Sequence, residues 1–273
     1  MVKLITWNIN FWQNYRNKEW KDNFAQYLLM LMKEYDFILL QESNPSLIFN
    51  KDENQFEIDD KVVYFNKFLI EEIGIETDKK IIPWGNSIIA NKEFPFIKNN
   101  FLDKKGHIEN YYFGKSAFMC YDFKLDEKRN ITIFNFYNKN QNGQYPMLKT
   151  VISDIEKVLK NNKNIVILSG DFNSDMERDP NNKEFFNQLS QLGLVNCTDD
   201  VEFETTMVPE IGIKRQYPND KIFVKKPWDK YIVCKLIKNT TIELSDHRPI
   251  ECTIRYFPET DRCRNEFLQW WNN

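Results

Sequence analysis

The sequence predicts an α/β protein in which two packed β-sheets are covered by helices. Three observations carry that expectation. Short apolar runs such as Ile165-Val166-Ile167-Leu168 are brief, rich in β-branching and bounded by turn residues, as strands buried on both faces are. Two longer stretches, Lys18 to Tyr35 and Pro146 to about Asn161, carry apolar residues at helical spacing. No fixed repeat and no Pro/Gly/Ser-rich linker divides the 273 residues, so one domain over 1–273 is expected.

In chain order, Val2 to Asn8 is a β-rich start running into Asn8-Ile9-Asn10. Two carboxamides would lie on one side there if the backbone stayed extended. Lys18 to Tyr35 lines up Trp20, Phe24, Tyr27, Leu28, Leu31 and Met32 along a helix. Asp36 to Glu42 is a second apolar strand ending in an acid. Lys61 to Leu69 and Ile81 to Ala90 follow as strands, the latter interrupted at Trp84-Gly85-Asn86. Phe94 to Lys105 reads as a loop, given Pro95 and a run of Asn. Tyr111 to Phe123 and Ile131 to Tyr137 read as strands across the charged turn Asp126 to Asn130. Pro146 opens a helix bearing Met147, Val151, Ile155, Val158 and Leu159, its missing N–H being no loss at a helix start. The strand Asn164 to Asp171 comes next, then a helix from Asn182 to Leu192. Lys221 to Val224, Lys230 to Ile237 and Ile250 to Tyr256 read as further strands. Residues 257–273 form a tail, with a short helix expected over Glu266 to Trp271.

Apolar content of 42% and aromatic content of 15% fit a folded chain. A net charge of −3 and a pI of about 5.7 exclude a grip on long nucleic acid by bulk positive charge. They leave open a locally basic groove, or a metal that brings its own charge. The N-terminus shows no basic region followed by an apolar segment and cleavage site, and no apolar run reaches membrane-spanning length. The five cysteines are scattered and odd in number, which points to reduced thiols and a cytoplasmic location.

The strand ends carry the chemistry: Asn8 and Asn10, Glu42, Asp171 and Asn173, and Asp246 with His247. Taken alone, Asp171 and Asn173 read equally well as ordinary turn residues. Together, the set offers oxygen ligands and one imidazole, with no cysteine. Such donors suit Mg²⁺ or Mn²⁺ better than zinc. A few carboxylates with one His fit metal-assisted phosphoester cleavage.

In these pieces the sequence resembles the endonuclease/exonuclease/phosphatase superfamily. The matching segments are TWNIN (6–10), LLQES (39–43), GNSIIA (85–90), FNFYNKN (134–140), SGDFNSD (169–175), NDKIFV (219–224) and SDHRPI (245–250). The resemblance implies a four-layer α/β/β/α sandwich of two mixed sheets flanked by helices, with the site at one edge. It implies that Asn8, Glu42 and Asp246 contact Mg²⁺ or Mn²⁺, with Asn10 near them. Asp171 would orient or deprotonate the attacking water, Asn173 would hold the water or the phosphate, and His247 would contact the scissile phosphate. An Asp before a late strand would pair with His247; Asp220 (NDKIFV) fits this better than Asp229 (WDKYIV). Tyr137 stands where many members carry His, and its hydroxyl is a candidate phosphate contact.

The function this implies is divalent-metal-dependent phosphodiester hydrolysis, with a DNA or RNA substrate and a monomer assumed. The alternatives are the same chemistry on a phospholipid, inositol phosphate or small nucleotide, and a non-catalytic binding module. Lys221, Lys225, Lys226 and Lys230 are candidates for one wall of a polyanion groove, although a solvated face explains them as well. His107 reads as a surface residue.

Overall fold

Along the central strands, alternate residues face two different cores, and this divides the molecule into layers. The computed structural model describes residues 1–14, 16–51, 53–67, 85–100, 117–138, 146–160, 162–173, 183–198, 206–210, 213–217, 219–237 and 244–255. The expected strand segments at 68–69, 81–84 and 111–116, His107 and the terminal helix lie outside the described residues.

The elements are β1 (Val2–Asn8), α1 (Phe11–Asn14), α2 (Lys18–Glu34), β2 (Phe37–Ser43), α3 (Pro45–Ile48), β3 (Gln55–Ile58), β4 (Lys61–Lys67) and β5 (Gly85–Asn91). There follow β6 (Phe96–Asn99), β7 (Ala117–Lys124), β8 (Asn130–Tyr137), α4 (Pro146–Leu159), β9 (Ile165–Asp171) and α5 (Lys183–Gln191). The chain continues through β10 (Leu194–Asn196), β11 (Thr206–Glu210), β12 (Ile213–Tyr217), β13 (Asp220–Lys225), a 3₁₀ turn at Trp228–Tyr231, β14 (Ile232–Leu236) and β15 (Ile250–Ile254).

One sheet has seven strands in the order β14-β15-β1-β2-β5-β4-β3, and a second has six in the order β10-β13-β9-β8-β7-β6. β11 and β12 pair separately. Each large sheet holds one parallel pair, β1 with β2 and β8 with β9; its other pairs are antiparallel. A helix carries each parallel crossover, α2 in the first and α4 in the second, as parallel strands require.

Between the sheets lie Val2, Leu4, Phe37, Leu39, Ile131, Ile133, Ile165 and Ile167. Ile5, Trp7, Ile38 and Leu40 face the other way and pack under Trp20, Phe24, Leu28 and Leu31 of α2. Phe134, Phe136, Val166 and Leu168 meet Val151 and Ile155 of α4 and Phe185, Phe186 and Leu189 of α5. These contacts make the expected helix–sheet–sheet–helix stack.

Two expectations need correction, and four short strands add to them. The segment after Phe94 is not all loop: Phe96–Asn99 forms β6, paired to β7. Pro95 is tolerated because β6 is an edge strand and the proline still accepts from Lys124 N at 2.9 Å. Lys230 and Tyr231 close a 3₁₀ turn before β14 instead of starting the strand. The short strands β3, β10, β11 and β12 were not anticipated. They run three to five residues, too short for alternation to show.

Candidate active site

Strand direction explains why the polar ends meet. β1, β2, β8 and β9 deliver their carboxyl ends to one edge, carrying Asn8, Glu42, Tyr137 and Asp171. β13 and β15 run antiparallel to their neighbours, so their starts arrive at the same edge with Asp220 and, just before β15, His247. Tyr137 pairs in register with Asp171, and Asp171 with Asp220.

Asn8, Tyr137, Asp171 and Asp220 share the alternation of the residues that pack between the sheets. Glu42 does not. It shares the alternation of Ile38 and Leu40, which pack under α2. The β2–β5 register breaks between Leu40 and Ser43, and Glu42 takes a left-handed φ of 46°. This bulge turns the carboxylate toward Asn8 instead of α2.

Two further residues reach the site by left-handed turns. Asn10 has φ 49° and Asn173 has φ 51°. Each lies beyond its strand, so the extended geometry expected for both pairs is replaced by a turn back onto it. The backbone N of Asn10 donates to Asn8 Oδ1 at 2.9 Å, and that of Asn173 to Asp171 Oδ1 at 2.8 Å. Asn is among the few residues that tolerate this conformation.

A network ties the ends together. Asn8 Nδ2 donates to Glu42 Oε1 at 3.1 Å and to Asp171 Oδ2 at 2.9 Å. Asn173 Nδ2 donates to the same Asp171 oxygen at 3.0 Å, and Asn10 Nδ2 to Asp246 Oδ1 at 3.0 Å. The Tyr137 hydroxyl hydrogen-bonds Glu42. His247 Nδ1 lies 2.8 Å from Asp220 Oδ2, and its Nε2 is 3.9 Å from Asp171 Oδ2. Asp220, not Asp229, is therefore the histidine's partner; Asp229 sits in the 3₁₀ turn. Asn8, Tyr137, Asp171, Asp220 and His247 are buried, while Asn173 and Asp246 stand half-buried at the rim.

Burial sets the electrostatics. It pushes Asp171 up to about 7, helped by the negative charge of Asp220 and opposed by His247 and Asn8. Burial disfavours charge on His247, but Asp220 and then Asp171 and Asp246 outweigh it and raise the imidazole to about 10. Burial, and then the charges of Glu42 and Asp171, hold the Tyr137 phenol well above its ordinary value.

Asp171, Asp220 and His247 bring three potential ligand atoms within 4.8 Å of one another. A charged imidazole has no lone pair to offer, so this trio acts better as a proton-holding group than as a cation site. The oxygen set on the other side fits a hard cation. Asn10 Oδ1 is buried and has no hydrogen-bond partner among the described residues, beside the carboxylate of Asp246.

No protein-family model matches the sequence, and no curated protein matches it. Solved structures do match. An AP endonuclease from Leishmania major aligns at TM-score 0.65 and 14% identity over 94% of this chain and 88% of that one. An endonuclease/exonuclease/phosphatase family protein from Leptotrichia buccalis aligns at 0.59 and 17% over 94% and 100%. The fold is that of the endonuclease/exonuclease/phosphatase proteins. The endonuclease domain of TRAS1, a telomere-specific non-LTR retrotransposon, shares it at 0.63 and 14% over 94% and 100%.

Within this endonuclease/exonuclease/phosphatase fold, some supports escaped the sequence reading. Ser245 Oγ donates to Asn8 O at 2.7 Å and accepts from His247 N at 3.1 Å. Trp7 Nε1 donates to His247 O at 2.9 Å, so a core tryptophan also braces the histidine loop. A Ser two residues before a His is the signal of such a turn. Two of the four candidate groove lysines have structural roles. Lys221 is buried over the Phe186 ring at 5.7 Å, and Lys225 caps the end of α4 through Leu159 O at 3.0 Å and Asn162 O at 2.9 Å.

Proposed function

We propose that the protein is a divalent-metal-dependent phosphodiesterase that attacks phosphorus in line with water, and that nucleic acid is its substrate class. The observation that carries this reading is the Asp220–His247–Asp171 line, with Nε2 of a cationic imidazole 3.9 Å from a carboxylate of raised proton affinity. Asp171 holds the attacking water and takes its proton, a role for which a pKa near 7 is well matched. Asn173, at the rim, shares that water or a non-bridging oxygen. His247, kept charged by Asp220, faces the charge that develops on the phosphoryl oxygens. Glu42, Asp246 and Asn10, with Asn8 beside them, would hold Mg²⁺ or Mn²⁺. When bound, such an ion supplies positive charge at the phosphoryl and leaving oxygens. Tyr137 steadies Glu42 through its hydroxyl. Two of the structural neighbours are endonucleases, which favours nucleic acid.

The net charge of −3 favours a second reading, in which a small or lipid phosphoester is cleaved by the same groups. One panel separates the two. The purified chain is assayed on DNA, RNA, lipid and small phosphodiesters with Mg²⁺, Mn²⁺ and chelator, across a salt series. Chelator-sensitive cleavage of DNA or RNA that falls steeply with salt supports the first reading. Salt-insensitive turnover of a small substrate supports the second. No turnover of any substrate, with no ion bound at millimolar levels, would leave the non-catalytic module.

A further inference from the structure

We infer that Asn135, which belongs to the opposite sheet and touches no substrate, is the positioning residue that aims Glu42 at its ion. The inference rests on the proposed role of Glu42 as a metal ligand. Glu42 leaves the face expected of it only because β2 bulges. The register passes from Leu40↔Ser87 to Ser43↔Gly85, so Gln41 and Glu42 together oppose Asn86 alone. A bulge locally disrupts its ladder and must find other partners for the backbone groups involved.

Asn135 of β8 provides them across the gap between the sheets. Its Nδ2 donates to Leu40 O at 3.1 Å and to Ser87 O at 2.8 Å, the two residues at which the regular pairing stops. Its Oδ1 accepts from Gln41 Nε2 at 2.7 Å, and its own backbone carbonyl accepts from Asn86 Nδ2 at 3.0 Å. Gln41 Nε2 also reaches Thr6 Oγ1 at 3.0 Å, tying in β1 two residues before Asn8. Asn135, Gln41, Asn86 and Ser87 are all fully buried. One carboxamide thus engages both strands at the bulge and the residue next to Glu42. Its amide hydrogens and its oxygen act on different partners, so they can be separated by substitution.

The test measures Mn²⁺ affinity by titration calorimetry on folded protein, with kcat and KM alongside. The variants are N135D, which keeps the acceptor for Gln41 but removes both donors, N135A and N135S. L28A, a truncation on the buried face of α2, is the control for lost stability. The expected result is Mn²⁺ binding weakened about 10-fold or more in the folded Asn135 variants, the range seen when a ligand's supporting partner is removed. Affinity in L28A should stay at the wild-type value. Equal weakening in L28A, or unchanged affinity in N135D and N135A, overturns the inference. So does failure of every Asn135 variant to fold, which would make the residue a general requirement of the sandwich. Absence of Mn²⁺ binding by the wild type would instead overturn the metal role of Glu42 itself.

Discussion

Asn10, Glu42 and Asn173 share a left-handed backbone, and each reaches the site because of it. Residue type was readable from the sequence at all three, since amides and acids recur at strand ends. Their convergence was implied only by the family resemblance, because strict two-residue alternation places Glu42 under α2 and says nothing of turns beyond a strand. The strain can be measured at Asn173, where N173G keeps the turn without a side chain and N173A keeps a Cβ in it. N173A should be less stable than N173G by about 1 kcal/mol, read as a difference in denaturant midpoint. Equal midpoints would mean that the turn carries no strain. At the pair Asp220–His247, D220N removes the charge that outweighs burial. The imidazole titration, followed by NMR, should fall from about 10 toward or below the ordinary value of about 6.5. Turnover at neutral pH should fall by roughly 10²-fold or more. An unmoved titration would separate Asp220 from the histidine's charge. D171N, which removes the proposed base, should lose roughly 10²–10⁴-fold in rate with folding intact.

At the scale of elements, the parallel seam of β8 and β9 carries Asp171, the proposed base, into the site. Gly170 brings the backbone of β9 against the carbonyl of Phe136. A Cβ at position 170 would lie 1.9 Å from that oxygen, and φ there is +143°. G170A must therefore push the two central strands apart or fail to fold. A loss of more than about 3 kcal/mol is expected, from steric overlap and a backbone region that side chains avoid. Chemical denaturation or soluble yield checks it; a wild-type midpoint would mean that the strands separate there at no cost. The long central strands were legible because they are buried on both faces, as β9 is throughout. The edges were not. β6 exposes Phe96 and Ile97 at 39% and 45%, and an edge strand need not look apolar or alternate cleanly.

At the scale of the whole molecule, two helix-crossed parallel pairs face each other, and their packing depends on residues that meet across the gap. Four of the seven matching segments end strands and three open them, at β5, β13 and β15, and it was their order along the chain that carried the family resemblance implying a two-sheet sandwich. What no segment shows is which side chains join the sheets away from the site. Tyr64 of β4 and Tyr121 of β7 do so, edge to face with ring centroids 5.4 Å apart. Both are buried, and burial pushes each phenol up to about 12, with Glu57 adding to the first and Tyr64 to the second. The folded values lie above the ordinary 10.0, so the neutral phenols favour the fold. Their contribution is complete below pH 10 and is lost as pH rises through about 12. At most, each ring loses about 2–3 kcal/mol over that window, from about 1.4 kcal/mol per pKa unit. Unfolding free energy measured by urea titration should therefore fall between pH 10 and 12 and fall less in a Tyr64→Phe, Tyr121→Phe double variant. The comparison isolates these two rings, because Tyr35 and Cys120 titrate alike in both proteins. Parallel curves would show that the sheets stay joined when the phenols ionise, and that the other core contacts, Phe37 against Phe123 among them, suffice to hold the two halves together.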